Sequence, residues 1–260
     1  MHNVNQGARA QVFMPVGAAL LAMVFIQAGA SIIKGLFPLI GTQGATTLRL
    51  AFSSFMMLLI WRPWRTPVKG GRWRWIAAYG AVLGIMNSLF YQSLSRIPLG
   101  IAVALEFTGP LGLALLSSRR ALDFLWVMLA VGGIYLLLPI SPAGAALDPV
   151  GVGFAFGAGL CWALYIVFGK KAGEGGGSGP AVVYGSLVGT LVVLPVGATQ
   201  ALHGLSLPNV LPSVLAVALL SSAIPYSLEM VAMTRLPSKT FGVLMSVEPG
   251  IGALVGFLLL

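Results

Sequence analysis

Five ionisable side chains lie inside long apolar stretches of this sequence: Lys34, Arg49, Glu106, Glu229 and Glu248. A charge near the centre of a bilayer costs about 2.5–3.5 kcal/mol on insertion scales, so each such group needs a partner, water or a cavity. Two cations and three carboxyls have two uses. They can form static salt bridges that lock helices together, or they can line a cavity that receives a charged solute. Lys34 has a third option, snorkelling to the outer interface. Glu106 sits in the middle of its stretch, where snorkelling is hard, and favours a functional role. A buried carboxyl is also the kind of group that exchanges a proton as its exposure alternates.

Helical spacing brings other polar groups beside these charges. Gln27, Ser31 and Lys34 share a face, as do Ser222, Tyr226 and Glu229; Asn87 pairs with Tyr91, and Trp162 with Tyr165. One such stripe is ordinary interhelical packing, whereas several on different helices make a polar cavity the simpler account. Prolines add freed backbone acceptors: Pro110 releases the carbonyl of Glu106, Pro225 that of Ser221 and Pro249 that of Met245. Freed carbonyls at membrane depth face a cavity or find a side-chain donor, and each proline taken alone reads equally as a packing kink. Pro110 beside Glu106 and Pro249 beside Glu248 point to bends, or gates, along a pathway. Glu106 and Glu248 are then the candidates for proton coupling.

The elements that position these groups follow from composition. Of 260 residues, 58% are hydrophobic and 8% charged, and the mean hydropathy is +0.95. Soluble domains carry about 25% charged residues, so a soluble enzyme and a disordered chain are both excluded. Punctuation by charge, Pro and Gly predicts membrane spans near 15–38, 42–62, 73–94, 98–117, 122–139, 150–170, 179–200, 209–234 and 238–260. With the N-terminus in the cytoplasm, the inner side receives Arg9, Arg62, Arg65, Lys69, Arg72, Arg74, Arg119, Arg120, Lys170, Lys171, Arg235 and Lys239, and the outer side only Arg96. That asymmetry explains the net charge of +9 by the positive-inside rule, with no nucleic-acid partner. Trp61, Trp64, Trp73 and Trp75 flank the first basic loop as an interfacial belt. Gly80/Gly84, Gly153/Gly157, Gly185/Gly189 and Gly252/Gly256 are spaced for close helix approach. The run 174–179 is a flexible inner loop. Cys161 reads as a small apolar helix residue, His2 and His203 are too far apart for a zinc motif, and no Walker sequence is present. No metal or cofactor is expected.

A repeat emerges from the numbering. Arg96-Ile97-Pro98 precedes Pro110 by the same spacing as Arg235-Leu236-Pro237 precedes Pro249, and both lie between the third and fourth spans of their half. Five spans per half is an odd number, so the second copy enters from the opposite face. Such inversion is the signature of secondary transporters. The expected architecture is all-α, with a first repeat over 1–145 (helices 1–5) and a second over 146–260 (helices 6–9), the tenth helix being absent from this chain.

Several stretches resemble one known family: Ala30-Ser31, Lys34, Leu36-Phe37-Pro38-Leu39, Thr47-Leu48-Arg49-Leu50, the run from Pro98 through Glu106 to Leu111, and Ser117-Ser118-Arg119-Arg120. In the second half Gly157-Ala158-Gly159, Cys161-Trp162-Ala163, Pro225-Tyr226-Ser227-Leu228-Glu229-Met230 and Thr234-Arg235-Leu236-Pro237 agree as well. Together they are similar to the bacterial threonine and homoserine exporters, in the EamA branch of the drug/metabolite transporters. The resemblance covers nearly the whole chain. It implies ten helices in two inverted five-helix repeats, a multi-pass place in the bacterial inner membrane, and efflux of small amino acids by proton antiport. It further implies homodimer contacts through the terminal helices.

A zwitterionic amino acid needs a cation, an anion and hydroxyl partners. Lys34 or Arg49 answers the carboxylate, Glu106 or Glu229 the ammonium, and Asn87, Tyr91 or Tyr226 a side-chain hydroxyl. Gln27, Ser31, Trp162 and Tyr165 complete the candidate substrate site. Two rivals stand beside this reading. Trp162, Tyr165 and Tyr226 also suit a flat cargo, such as an aromatic amino acid, a drug or another metabolite. A non-transporting membrane scaffold would instead pair its buried charges statically. An enzyme is the least favoured reading.

Overall fold

The computed structural model describes residues 2–68, 70–117, 128, 132, 147–174, 178–208, 210–251 and 254, and, of 2–13, 31 and 239, the backbone only. The predicted fifth span apart from residues 128 and 132, Lys69, Arg119, Arg120, Gly252, Gly256 and the centre of the 174–179 loop lie outside the described residues, as do the side chains of His2, Arg9, Ser31 and Lys239.

Ten α-helices carry the description: α1 His2–Lys34, α2 Phe37–Trp61, α3 Trp73–Leu94, α4 Leu99–Glu106, α5 Thr108–Leu116, α6 Pro149–Gly173, α7 Ser178–Ser206, α8 Val210–Ala218, α9 Ile224–Arg235 and α10 Ser238–Met245. A π-helical turn, Leu219–Ala223, joins α8 to α9. Among the described residues six stretches are long and apolar enough to cross a membrane: Met14–Lys34, Phe37–Trp61, Leu99–Leu116, Pro149–Gly173, Ser178–Ser206 and Val210–Arg235. They coincide with the first, second, fourth, sixth, seventh and eighth predicted spans.

Local chemistry sets the helix ends. α1 closes in a tight turn, with the Gly35 and Leu36 amides donating to Ile32 and Ile33 at 3.2 and 2.9 Å, and Pro38 then opens α2. α2 stops where Arg62 turns left-handed (φ 45°) ahead of Pro63. Asp148 caps α6, its side chain accepting from the Val150 amide at 3.0 Å. Within α2, Gly41 adopts φ 65°, a conformation natural to glycine. The helical bond lost there is replaced by Gln200 of α7, whose Oε1 accepts from the Gly44 amide at 3.0 Å.

Two interruptions match across the chain. Pro98 and Pro237 precede α4 and α10 with nearly identical dihedrals (−58°, 142° and −57°, 141°), and each helix runs eight residues. Each then meets a break, at Phe107 after Glu106 and at Ser246–Val247 before Glu248. α5 and α10 pack together, with Gly242 against the Pro110 carbonyl.

α7 lies against α2 and α3, α6 against α3, and α1 against α9. Glycines set the closest approaches. A Cβ built on Gly80 would strike the Gly185 carbonyl oxygen, and one on Gly84 would lie 2.6 Å from that of Gly189. Gly153 is different: nothing lies within 4 Å of its Cβ position, so of the Gly153/Gly157 pair only Gly157 meets a neighbour, Leu89. Gly80→Ala should therefore destabilise the fold by about 1–3 kcal/mol through overpacking, outweighing the gain in helix propensity of up to about 1 kcal/mol. Gly153→Ala should keep that gain. Melting both variants in detergent checks the contrast.

The ends of the bundle are chemically distinct. At one end Lys171 stacks on Trp75 at 4.2 Å and Arg74 at 5.0 Å, while Trp64 and Trp73 are exposed. Arg235 meets Met14 there. At the other end Arg96 pairs with Asp148 at 3.4 Å.

Candidate functional site: a polar cavity at mid-depth

A cavity of about 60 Å³ opens where α1, α2, α3, α4, α6 and the α8–α9 junction converge. Arg49 of α2 and Trp162 of α6 come from the middle of their helices. Arg49 lies at the centre of α2 and is buried, with no carboxylate ion-paired to it among the described residues. Its Nη1 donates to both the carbonyl oxygen and the hydroxyl of Ser221 at 3.2 Å, its Nη2 donates to Asn87 Oδ1, and its guanidinium stacks on Tyr91 at 4.9 Å. The Ser221 carbonyl is the one that Pro225 frees by lacking an amide hydrogen. The π turn around Ser221 carries this acceptor toward α2.

Asn87 is fixed from three sides. Its Oδ1 accepts from Arg49 and from the Tyr226 hydroxyl at 3.0 Å, and its Nδ2 donates to the Leu83 carbonyl at 2.8 Å. Glu106, Glu229 and Glu248 are all buried and all line the cavity. Tyr165 donates to Glu229 Oε2 at 2.8 Å, and Gln27 to Glu248 Oε1 at 3.1 Å. Glu248 Oε2 has no hydrogen-bond partner among the described residues. Glu106 sits at the α4–α5 break, where Gly159 of α6 lets the backbones touch: a Cβ on Gly159 would strike the Glu106 carbonyl. Among the described residues Arg96–Asp148 is the one ion pair, so the buried cation and the buried carboxyls share a space without contacting each other.

Most of the residues expected from sequence come together here. Gln27, Arg49, Asn87, Tyr91, Glu106, Trp162, Tyr226, Glu229 and Glu248 line the cavity. Tyr165 stands behind the wall and reaches it through Glu229. Lys34 does not take part: it is the last residue of α1, at the end of the span Met14–Lys34, and is exposed. Pro110 and Pro225 are buried one turn beyond Glu106 and Ser221, and Pro249 follows Glu248 directly. Sequence reasoning missed Ser221 as a side chain, along with the apolar lining of Ile26, Ala30, Met86, Phe90 and Val103. Only Ser221 carried a signal, through the proline four residues on.

Residues 149–260 match the EamA-like transporter family. Over 250 residues, 96% of this chain and 84% of the relative, the sequence is 50% identical to the threonine/homoserine exporter RhtA of Escherichia coli (strain K12). The chain belongs to the EamA transporter family, alongside the RhtA proteins. RhtA of Salmonella typhimurium (strain LT2) matches to the same extent, 50% over 96% of this chain and 84% of its own. A crystal structure of a protein only 17% identical shares the fold, with a TM-score of 0.69 over 93% of this chain and 88% of that one. This EamA transporter is thus a multi-pass, all-helical membrane protein whose buried charged side chains Arg49, Glu106, Glu229 and Glu248 line one cavity.

Proposed function

We propose that this EamA transporter exports small neutral amino acids, threonine and homoserine first, across the bacterial inner membrane by proton antiport and alternating access. One observation carries the reading: Arg49 bonds only to neutral acceptors while three carboxyls face the same cavity, with no ion pair between them among the described residues. A zwitterion is the solute that completes such a site. Its carboxylate takes Arg49, its ammonium Glu229 or Glu106, and its hydroxyl Asn87, Tyr91 or Tyr226. Three carboxyls and one guanidinium would leave surplus negative charge far from water if all were ionised. Protons held on Glu106 and Glu248 balance it, and their exchange, which runs through Glu106, supplies the drive. A static scaffold would instead have its buried charges paired.

The names of the RhtA relatives support the cargo. The matched dihedrals at Pro98 and Pro237, with the matched breaks that follow, support two repeats of one unit, 1–145 and 146–260. Arg96 and Arg235 at opposite ends of the bundle support their inversion. The cations at the Trp75 end support a cytoplasmic N-terminus.

Cells making this chain, preloaded with labelled threonine or homoserine, should lose label faster than control cells, and faster still at acidic external pH. Loss equal to control at both pH values would overturn the reading. The aromatic lining, Phe90, Tyr91, Trp162 and Tyr226, favours a second cargo class of aromatic amino acids. Competition of threonine efflux by phenylalanine and tryptophan separates the two.

A further inference from the structure

Three side chains from three helices form a ladder against one wall of the cavity. Tyr165 of α6 donates to Oε2 of Glu229 on α9 at 2.8 Å, and Tyr79 of α3 donates to the Tyr165 oxygen at 3.5 Å, their rings 5.0 Å apart. Both tyrosines are fully buried. The cavity lies to one side of this ladder. On α3 its lining is Met86 to Tyr91, and on α6 it is Trp162, in each case nearer the Arg96–Asp148 end than Tyr79 and Tyr165 are. On the other side, toward the basic end, the chain is shut. A Cβ on Gly169 would lie 2.5 Å from Met233 Sδ and 3.1 Å from the Tyr79 ring, and Met233 and Ala172 are buried.

We propose that the Tyr79–Tyr165–Glu229 ladder is the inner seal of the transporter, and that Tyr165 is the positioning residue that ties the shut seal to the cavity carboxyl. The proposal deepens the alternating-access reading and rests on it. Glu229 then serves two purposes. Its Oε2 receives Tyr165, while the residue also lines the cavity, where a substrate ammonium would bind. A hydrogen bond to an ionised acceptor is about twice as strong as one between neutral groups. Losing it shifts the population toward the state in which the basic end is open.

The test is a labelling rate in inside-out vesicles, with Cys161→Ala as background and Met233→Cys as reporter, probed by a membrane-impermeant maleimide. The parent should label slowly. Tyr165→Phe should label about tenfold faster, the shift expected from losing one hydrogen bond to a charged group, and Glu229→Gln, whose amide oxygen still accepts from Tyr165 but carries no charge, about threefold faster. Tyr79→Phe should give a smaller rise. Ala172→Cys, buried toward the same end, is a second reporter should Met233→Cys not fold. Tyr165→Phe should also raise the KM for exported amino acid with its melting temperature unchanged, because it frees Glu229 to turn. Labelling unaltered in Tyr165→Phe and Glu229→Gln would overturn the seal. The labelling uses no cargo, so the two ideas fail separately. A rise without threonine export overturns the cargo and keeps the seal, and export with flat labelling does the reverse.

Discussion

Arg49→Gln should lower the affinity for exported amino acid by about a hundredfold, the lower-middle of the range for breaking a buried, hydrogen-bonded charge contact. Arg49 holds three helical elements at once, giving Nη1 to the Ser221 carbonyl and hydroxyl, Nη2 to Asn87 and its face to Tyr91. Glutamine has neither the reach nor the charge for this, and it leaves the Ser221 carbonyl without its donor. Arg49→Lys should fail nearly as badly. A point-charge ammonium cannot serve two separated acceptors and a stacked ring as a planar guanidinium does. Binding of labelled threonine to purified protein reads the effect directly. Wild-type affinity in Arg49→Lys would mean that only the positive charge matters; wild-type affinity in both variants would remove Arg49 from the site.

The second large effect concerns drive instead of binding. Glu106→Gln keeps the shape of the side chain and takes away its proton exchange, so export should lose its dependence on external pH. Each pH unit of inward gradient is worth about 1.4 kcal/mol per exchanged proton, a tenfold factor in the concentration ratio the transporter can sustain. The wild type should therefore export against a steeper ratio as external pH falls, and Glu106→Gln should not. No hydrogen bond from a described residue holds the Glu106 carboxyl, which is why the substitution should spare the fold. Efflux that keeps its pH dependence in Glu106→Gln would move the proton to another carboxyl.

Much of this site was legible because a bilayer penalises polar side chains so heavily. Arg49, Glu106, Glu229 and Glu248 stood out against apolar neighbours, and helical spacing then drew in Gln27, Asn87, Tyr91 and Tyr226, all of which line the cavity. Lys34 misled for a local reason: the turn at Gly35–Leu36 ends α1 at that residue, leaving its side chain exposed. The apolar lining was not legible, because Phe90, Met86 or Val103 facing a cavity looks in sequence like the same residue facing lipid or a neighbouring helix. Tyr79 was hidden for a related reason, since its one polar atom finds its partner on another helix, 86 positions away. The kink at Gly41 depends on Gln200, a residue far along the chain.

The wide turn at Leu219–Ala223 has a consequence for phase. An α-helix advances 100° per residue, and a π turn accommodates one residue more than an α turn. Everything after Ala223 is therefore rotated relative to α8 by about the angle of one residue. Were this stretch regular, the face that now carries Tyr226 and Glu229 toward Arg49 would be turned toward a neighbouring helix or the lipid. The extra residue acts as an angular offset, keying the polar face of α9 to the cavity while α8 keeps its apolar face in the packing.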